Sequence, residues 1–186
     1  MIIDDFFTKE ILSILKTRVL YAKYFDDDYR TYRAIDYYPL QDYITDLIVK
    51  EFREKLKILP PFQRAWSFVY NNECSGVRLH ADPSEFNVNI WVSSDESVKN
   101  KSLNGLSIYK ITPPLSWRRN DWNHNPEKAK NYIISKNVKP VKIDYKSNRA
   151  VIFNGAYFHQ SNKVSMKKGL ENRRVSYTML FGSQLE

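Results

Sequence analysis

The stretch HADPSEFNVNIWVS, residues 80–93, combines a strand pattern with side chains that can bind a metal ion. Within it, 87–93 is rich in Val, Ile and Trp and alternates polar with apolar residues, which predicts a β-strand. His80 and Asp82 lie two positions apart, so on an extended backbone both side chains point to the same face. An H-x-D triplet also arises by chance, and a histidine is more often structural than a ligand.

Similar strand-like runs occur throughout the chain after residue 62. They cover residues 63–71, 106–111, 138–145, 150–154 and 174–181, and they are rich in Val, Ile, Tyr and Phe. The longest interruption is residues 112–137, which lack the strand pattern. An insertion of that length in a strand-rich domain is typical of a segment that covers a site. We therefore expect this insertion to border the functional site.

The first third of the chain has helical spacing instead. A first helix, capped by Asp4 or Asp5, is predicted from apolar residues on one face, namely Phe7, Ile11, Ile14, Leu15 and Val19. A second helix is predicted to begin near Pro39 and to end before Pro60. The segment between them, residues 21–38, is predicted to be irregular. Helices followed by many short strands predict an α+β fold in which the helices cover one face of a β-sandwich or barrel.

Length and composition restrict the class of protein. The 186 residues predict one domain, with a helical layer over 1–58 and a strand-rich core over 59–186. A chain that is 42% hydrophobic and 15% aromatic is neither disordered nor collagen-like. No apolar run reaches the roughly 18 residues of a membrane span. Acidic residues stand near the N-terminus where a signal peptide would be basic, so we expect a cytoplasmic protein. The single cysteine, Cys74, excludes an intramolecular disulfide.

Positive charge is concentrated in the second part of the chain. Residues 1–58 hold 10 Lys and Arg against 11 Asp and Glu, whereas residues 59–186 hold 19 against 10. Such asymmetry can indicate nucleic-acid binding. The basic residues are scattered singly or in pairs, however, which favours a solvated basic surface over a nucleic-acid site. A basic environment would also attract small anionic cosubstrates.

A second group of polar residues lies on the last predicted strand. Arg174, Ser176 and Thr178 alternate onto one face of that strand, while the apolar residues between them take the other. An arginine and a hydroxyl on one face can together bind a carboxylate, because the guanidinium binds it through two hydrogen bonds. An edge strand with solvated polar residues would show the same R-x-S pattern. Taken alone, the motif does not separate these two interpretations.

The order of these motifs resembles that of a known family. His159 follows His80 by 79 positions, and Arg174-x-Ser176 begins 15 positions later. With the stretches HADPSEFNVNIWVS (80–93), GLSIY (105–109), RAVIFNGAYFH (149–159) and GLENRRVSYTMLFG (169–182), the sequence resembles iron(II)/2-oxoglutarate-dependent oxygenases over nearly its whole length. The stretches look like a bacterial and phage subgroup, and the opening IIDDFF (2–7) looks like the N-terminal start of prolyl-hydroxylase-like members.

The resemblance implies a fold, a cofactor set and a reaction. The core would be a double-stranded β-helix (jelly roll) with the N-terminal helices packed on one sheet. His80, Asp82 and His159 would be the iron ligands. Fe(II), 2-oxoglutarate and O2 would couple oxidative decarboxylation of 2-oxoglutarate to hydroxylation of a substrate. That substrate would be a protein, an amino acid or a small metabolite, and the N-terminal likeness favours the first two slightly.

The resemblance also implies a cosubstrate site. Arg174 would bind the distal carboxylate of 2-oxoglutarate, assisted by Ser176, while Arg173 is one position out of phase. Tyr70 and Asn89, on the strands before and after the H-x-D turn, are further candidate contacts. The facing of Asn89 does not follow from its spacing, because the turn at Pro83 interrupts the period of two.

Two other classes of protein remain open at this point. Jelly rolls also serve as non-catalytic ligand-binding modules, since fold alone does not establish function. A zinc hydrolase could use two histidines and an aspartate as well, but it would not need an R-x-S carboxylate pocket. His124, within the insertion, could contact substrate, but the interpretation we favour is an exposed loop histidine. The sequence decides neither the substrate nor the oligomeric state.

Overall fold

A computed structural model describes residues 1–37, 43–56, 60–100 and 103–183. The helices in these ranges are α1 (Lys9–Leu20), α2 (Tyr43–Lys55), α3 (Arg119–Trp122) and α4 (Pro126–Ser135). The strands are β1 (Ile2–Ile3), β2 (Asp27–Asp28), β3 (Tyr32–Tyr37), β4 (Phe62–Tyr70), β5 (Glu73–Cys74), β6 (Phe86–Trp91), β7 (Leu106–Tyr109), β8 (Val141–Ile143), β9 (Arg149–Phe153), β10 (Phe158–Ser161), β11 (Val164–Ser165) and β12 (Val175–Phe181). The fold is therefore mixed, with many short strands and few helices, as the sequence predicts.

The strands form antiparallel sheets of different size. A seven-stranded sheet has the order β1-β9-β6-β12-β4-β3-β2, and a three-stranded sheet has the order β10-β7-β8. A small pair, β11 with β5, completes the arrangement. Apolar residues of both larger sheets form one cluster, in which Trp91, Val151 and Phe153 meet Leu106 and Ile108. The smaller sheet therefore packs against one part of the larger one.

The larger sheet has a helix-covered face and a face that lines a cavity. On β12 the odd-numbered residues Val175, Tyr177 and Met179 are buried in the main core with residues of α1 and α2. The even-numbered residues Ser176 and Thr178 line the cavity instead. This division follows from the two-residue period of a strand, and it is the division that the sequence predicts for the last strand.

The first part of the chain is less helical than the sequence predicts. The description of 1–58 as a helical layer is incomplete, because it also supplies β1, β2 and β3. Six residues of β3, in the segment predicted to be irregular, pair with β4 and extend the large sheet. At the opposite edge, β1 pairs with β9. Such strands depend on partners far along the chain, so local patterns reveal them poorly.

Helix α1 begins at a different cap from the two that the sequence predicts. The cap of α1 is Thr8, whose hydroxyl accepts a hydrogen bond from the Ile11 main-chain N–H at 3.4 Å. The predicted caps are wrong, because Asp4 is bound to Arg149 and Asp5 lies outside the helix with a positive φ of 52°. Pro39, the predicted start of the second helix, lies outside the described residues.

The insertion over residues 112–137 contains no strand in the structure, as predicted, and holds α3 and α4. Its apolar residues Trp122, Ala129 and Ile133 pack on Leu79 and Phe158, beside the two predicted histidine ligands. The insertion is therefore part of the packed domain. Within the described residues, none of the helices combines the length and the apolar character needed to cross a bilayer.

Candidate metal centre and adjoining cavity

Main-chain pairing brings the two predicted histidine ligands together. His80 and His159 form an isolated antiparallel bridge. The N–H of His80 donates to the His159 carbonyl at 3.0 Å, and the N–H of His159 donates to the His80 carbonyl at 2.8 Å. The N–H of Asp82 donates to the Gly155 carbonyl at 2.9 Å. The H-x-D turn is thus fixed to the β9–β10 segment, 79 positions away in the sequence.

The side chains of His80, Asp82 and His159 converge on one point. Nε2 of His80 lies 3.6 Å from Asp82 Oδ1, and Nε2 of His159 lies 3.4 Å from Asp82 Oδ2. One potential ligand atom from each residue lies within 4.8 Å of the other two. Among the described residues, this is the group of three or more histidine, cysteine or acidic side chains with the spacing of a metal site.

Hydrogen bonds on the far side of each ring orient the imidazoles. Nδ1 of His80 lies 2.7 Å from the Arg78 carbonyl, and Nδ1 of His159 lies 2.9 Å from the Tyr157 carbonyl. A carbonyl only accepts, so each Nδ1 carries the proton and each Nε2 presents a lone pair to the centre. This arrangement is typical of metal-binding histidines.

The electrostatics of the cluster favour the protonation state that binds a cation. Burial, together with the neighbouring His159, lowers the pKa of His80 below its usual value, so that its imidazole is neutral at pH 7. Burial alone would raise the pKa of Asp82. The neighbouring His80 and His159, together with a hydrogen bond from Asn87, outweigh that effect and lower the Asp82 pKa to about 2. The neutral imidazole of His80 and the ionised carboxylate of Asp82 can bind a divalent metal without first losing a proton.

Asn87 orients the carboxylate, and the sequence analysis did not identify it. Its side-chain amide donates to Asp82 Oδ2 at 2.6 Å, and its own oxygen accepts a hydrogen bond from Ser84. Asn87 is buried on β6, two positions before Asn89, so the two side chains share one face of the strand. The alternation along β6 therefore groups Asn87 with Asn89. The turn at Pro83 interrupts the period of two, so the sequence does not show that this face points toward Asp82.

A buried arginine lies in the same cavity as the cluster. Arg174 is 2% exposed, and within the described residues its Nε and Nη1 atoms have no hydrogen-bond partner. Its guanidinium lies 4.7 Å from the centre of the Tyr70 ring, with Trp91 at 5.8 Å and Tyr145 at 6.0 Å. Aromatic faces stabilise the cation but do not satisfy its N–H groups. An anion in the cavity would do so.

One cavity of about 520 Å³ joins the cluster to Arg174. The residues predicted as iron ligands or cosubstrate contacts all line it, and they are His80, Asp82, His159, Arg174, Ser176, Tyr70 and Asn89. Ser176 is 3% exposed, and Asn89 accepts a hydrogen bond from the Thr178 hydroxyl. Arg173 is not among the lining residues, which agrees with its predicted phase.

The insertion borders this cavity, as its length predicts. The N–H of Ala81 donates to the Trp122 carbonyl at 3.0 Å, and the side-chain amide of Asn123 donates to the Ala81 carbonyl at 2.9 Å. These two bonds hold the H-x-D turn against the end of α3. Arg119 and His124 also line the cavity, and both are exposed. His124 is therefore a residue of the cavity mouth and is separate from the three-residue cluster.

The fold is shared with solved structures of low sequence identity. No protein-family model matches the sequence, and no curated protein does. HygX from Streptomyces hygroscopicus, with nickel and 2-oxoglutarate bound, superposes with a TM-score of 0.65 and 10% identity over 98% of this chain and 82% of its own. The epimerase SnoN from nogalamycin biosynthesis was solved in complex with Fe³⁺, alpha-ketoglutarate and nogalamycin RO. It superposes with a TM-score of 0.71 and 8% identity, and the match covers 98% of this chain and 78% of its own.

A prolyl-4-hydroxylase from Pseudomonas putida is also similar. Its TM-score is 0.57 at 12% identity, and the match covers 99% of this chain and 92% of that one. At such identities the matches establish the fold, which this chain shares with iron- and 2-oxoglutarate-dependent enzymes. The resemblance drawn from the sequence is confirmed at that level.

Proposed function

We propose that this chain, which has the fold of iron(II)/2-oxoglutarate-dependent oxygenases, is itself such an enzyme, a single domain with a double-stranded β-helix core. The observation that carries the proposal is the buried guanidinium of Arg174, whose Nε and Nη1 have no hydrogen-bond partner among the described residues. It lies in the cavity that also holds the cluster of His80, Asp82 and His159. A set of three metal-binding side chains alone would suit several reactions. A cationic pocket beside it selects a cosubstrate that carries a carboxylate.

The donor set fits Fe(II). Two imidazole nitrogens and one carboxylate oxygen are the ligands of the facial triad of non-haem iron oxygenases, which leaves positions open for other ligands. His80, Asp82 and His159 would hold the ion, with Nε2 of each ring already facing the carboxylate. When bound, iron with 2-oxoglutarate and O2 supplies the oxidative decarboxylation to succinate and CO2 that is coupled to hydroxylation of the substrate.

Arg174 and Ser176 would bind the far carboxylate of 2-oxoglutarate. The guanidinium can donate two parallel hydrogen bonds to it, and Ser176 can add a third from the neighbouring position on the same face. The ring of Tyr70 supports the guanidinium from one side, and the backbone N–H of Tyr70 donates to the Arg174 carbonyl at 3.0 Å. Asn89 lines the same cavity, where its amide can contact the cosubstrate.

A zinc hydrolase and a non-catalytic binding module would each leave part of this arrangement without a role. A zinc hydrolase would use the same three ligands but would give no role to Arg174. A non-catalytic binding module would not need histidines whose Nδ1 carries the proton and whose Nε2 points to the centre. It would not need the hydrogen bond from Asn87 to Asp82 either. HygX has been solved with hygromycin B and SnoN with nogalamycin RO, both small molecules. We infer a small-molecule or peptidyl substrate for this chain.

The proposal is tested by anaerobic titration of the protein with Fe(II) and then with 2-oxoglutarate. Chelation of the iron by the keto acid should produce a weak visible charge-transfer band. His159→Ala should lose both iron and band, whereas Arg174→Ala should retain iron and lose 2-oxoglutarate affinity. Arg173→Ala, the adjacent arginine outside the cavity, is the matched control and should behave as the parent. A folded, iron-loaded protein without the band would overturn the proposal.

A further inference from the structure

A second region of the cavity is lined by aromatic rings. Tyr29, Tyr32, Trp66 and Phe68 all line it, and we call them the aromatic wall. The ring centres of Tyr29 and Tyr32 are 4.7 Å apart, and those of Tyr32 and Phe68 are 5.7 Å apart. None of the four is fully buried. Part of each side chain is therefore accessible from outside the core.

Strand register places the aromatic wall beside the proposed cosubstrate site. On β4, Phe68 is the direct partner of Ser176, and Trp66 is the direct partner of Thr178 on β12. Tyr32, on β3, is one strand further out and pairs with Tyr70. The wall therefore lies one and two strands away from Ser176 and Thr178, on the side of the sheet that also carries Tyr70. A molecule bound to it would not need to displace 2-oxoglutarate.

Two arginines stand at the mouth of the same cavity. Arg78 and Arg119 line it, both are exposed, and within the described residues neither side chain makes an ion pair or hydrogen bond. Arg64 differs from them, because its guanidinium is bound to Asp36 and lies over the Trp66 ring. The acidic side chains among the described lining residues are Asp82 and Asp27. Among the described lining residues, positive charge at the mouth therefore exceeds negative charge.

We propose that the primary substrate binds against the aromatic wall and is a small molecule with a planar aromatic ring and an anionic group. This inference rests on the proposed function for its meaning as a substrate site. The partly exposed rings of the wall offer aromatic contacts to a planar ring, while Arg78 and Arg119 offer donors to a carboxylate or phosphate. A cavity of about 520 Å³ is within the range of small-molecule sites, so it can hold a ligand of this kind.

The test uses simple probes on protein loaded with Ni(II), which does not support turnover, and with saturating 2-oxoglutarate. Calorimetry is performed with 2-naphthoate, neutral 2-naphthamide and cyclohexanecarboxylate. We expect 2-naphthoate to bind roughly tenfold more tightly than either of the others, because each lacks one of the two recognised features. Its affinity should be the same without 2-oxoglutarate. Failure of 2-naphthoate to bind, or competition with 2-oxoglutarate, would overturn the inference.

Variants separate the two features. The double variant Arg78→Ala, Arg119→Ala should weaken 2-naphthoate to the level of 2-naphthamide and leave 2-naphthamide unchanged. Trp66→Leu should weaken both aromatic probes. Arg53→Ala, which removes an exposed arginine on α2, is the matched control for charge and should have no effect. Unchanged 2-naphthoate affinity in the double variant would contradict the assignment of the arginines.

The iron and 2-oxoglutarate band provides an independent readout on the same proteins. A normal band with no 2-naphthoate binding would reject the aromatic, anionic substrate and leave the oxygenase proposal intact. An absent band with tight, arginine-dependent 2-naphthoate binding would reject the oxygenase proposal and reduce the aromatic wall to a ligand site without a reaction. Retention of the band in Trp66→Leu would show that the variant is folded.

Discussion

Gly155 packs so closely on Ser84 that a side chain at position 155 would overlap the Ser84 hydroxyl. An added Cβ would also lie 2.6 Å from the Ser84 carbonyl oxygen and 2.8 Å from Oδ1 of Asn87. The Gly155 carbonyl meanwhile accepts the hydrogen bond from the Asp82 N–H. The turn after β9 therefore supports the carboxylate ligand twice, through the main chain and through the Ser84–Asn87 pair.

Gly155→Ala is expected to destabilise the fold and weaken metal binding together. Overpacking at a tight contact costs about 1–3 kcal/mol, and relief of the clash would move Ser84 and Asn87 away from Asp82. Urea unfolding and a Ni(II) titration measure the two effects. The double variant Gly155→Ala, Ser84→Ala removes the hydroxyl and should recover part of the stability. Parental stability and metal affinity in the single variant would show that the turn relaxes freely.

Asn87→Ala is expected to weaken metal binding more than it weakens the fold. Groups that orient a metal ligand are typically worth about 10–100-fold in metal affinity, and Asn87 holds Asp82 Oδ2 in place at 2.6 Å. A Ni(II) titration gives the affinity, and urea unfolding of the metal-free protein gives the stability. Asn71→Ala, which removes an exposed amide elsewhere, is the control. Equal affinities in the two variants would contradict an orienting role.

The sequence was most informative where the residues that share a face all belong to one strand. Arg174, Ser176 and Thr178 share the cavity face of β12 because side chains alternate along any strand, whatever its partners. The facing of Asn89 was not predictable, since the turn at Pro83 breaks that alternation. The start of α4 could have been found, because Asn125 followed by Pro126 is a typical helix beginning, and Asn125 indeed accepts from the Lys128 N–H.

Strands that depend on distant partners could not be predicted from the sequence. β1 is two residues long, and its pairing with Val151 and Ala150 joins positions almost 150 apart. β3 becomes visible only as the partner of β4. The aromatic wall was missed for the same reason, because its four rings come from two separate parts of the chain. Tyrosines in the stretch of residues 21–43 can line a substrate site or cover a sheet face, and the sequence alone favours the second, more common role.

Metal binding is expected to stabilise the protein through the cluster alone. At a Ni(II) concentration 100 times its dissociation constant, the free energy of unfolding should rise by about 2.7 kcal/mol. His159→Ala should abolish this rise because it removes one of three ligands. His124→Ala should retain it, since that exposed side chain is separate from the cluster. Thermal unfolding with and without Ni(II) measures the change, and loss of the effect in His124→Ala would assign that residue to the metal.

Acid stability should depend on Asp4. Its carboxylate accepts hydrogen bonds from Arg149 at 2.6 and 3.0 Å and from Lys146 at 3.0 Å, which ties the N-terminal segment to the β9 side of the sheet. The Arg149 hydrogen bond, assisted by Lys146, outweighs partial burial and lowers the pKa of Asp4 from 3.8 to about 2. A pKa that is lower in the folded than in the unfolded state stabilises the fold above pH 3.8, and this contribution disappears as the pH falls through about 2.

Asp4→Asn should therefore be less stable than the parent at pH 6, and the difference should shrink between about pH 4 and pH 2. Urea unfolding across that pH range measures it. Asp5→Asn is the matched control, because Asp5 is 83% exposed and approaches Lys146 only to 3.9 Å. Its stability should follow the parent at every pH. A constant difference between Asp4→Asn and the parent from pH 6 to pH 2 would show that the ion pairs of Asp4 do not contribute, because the loss would then be independent of its charge.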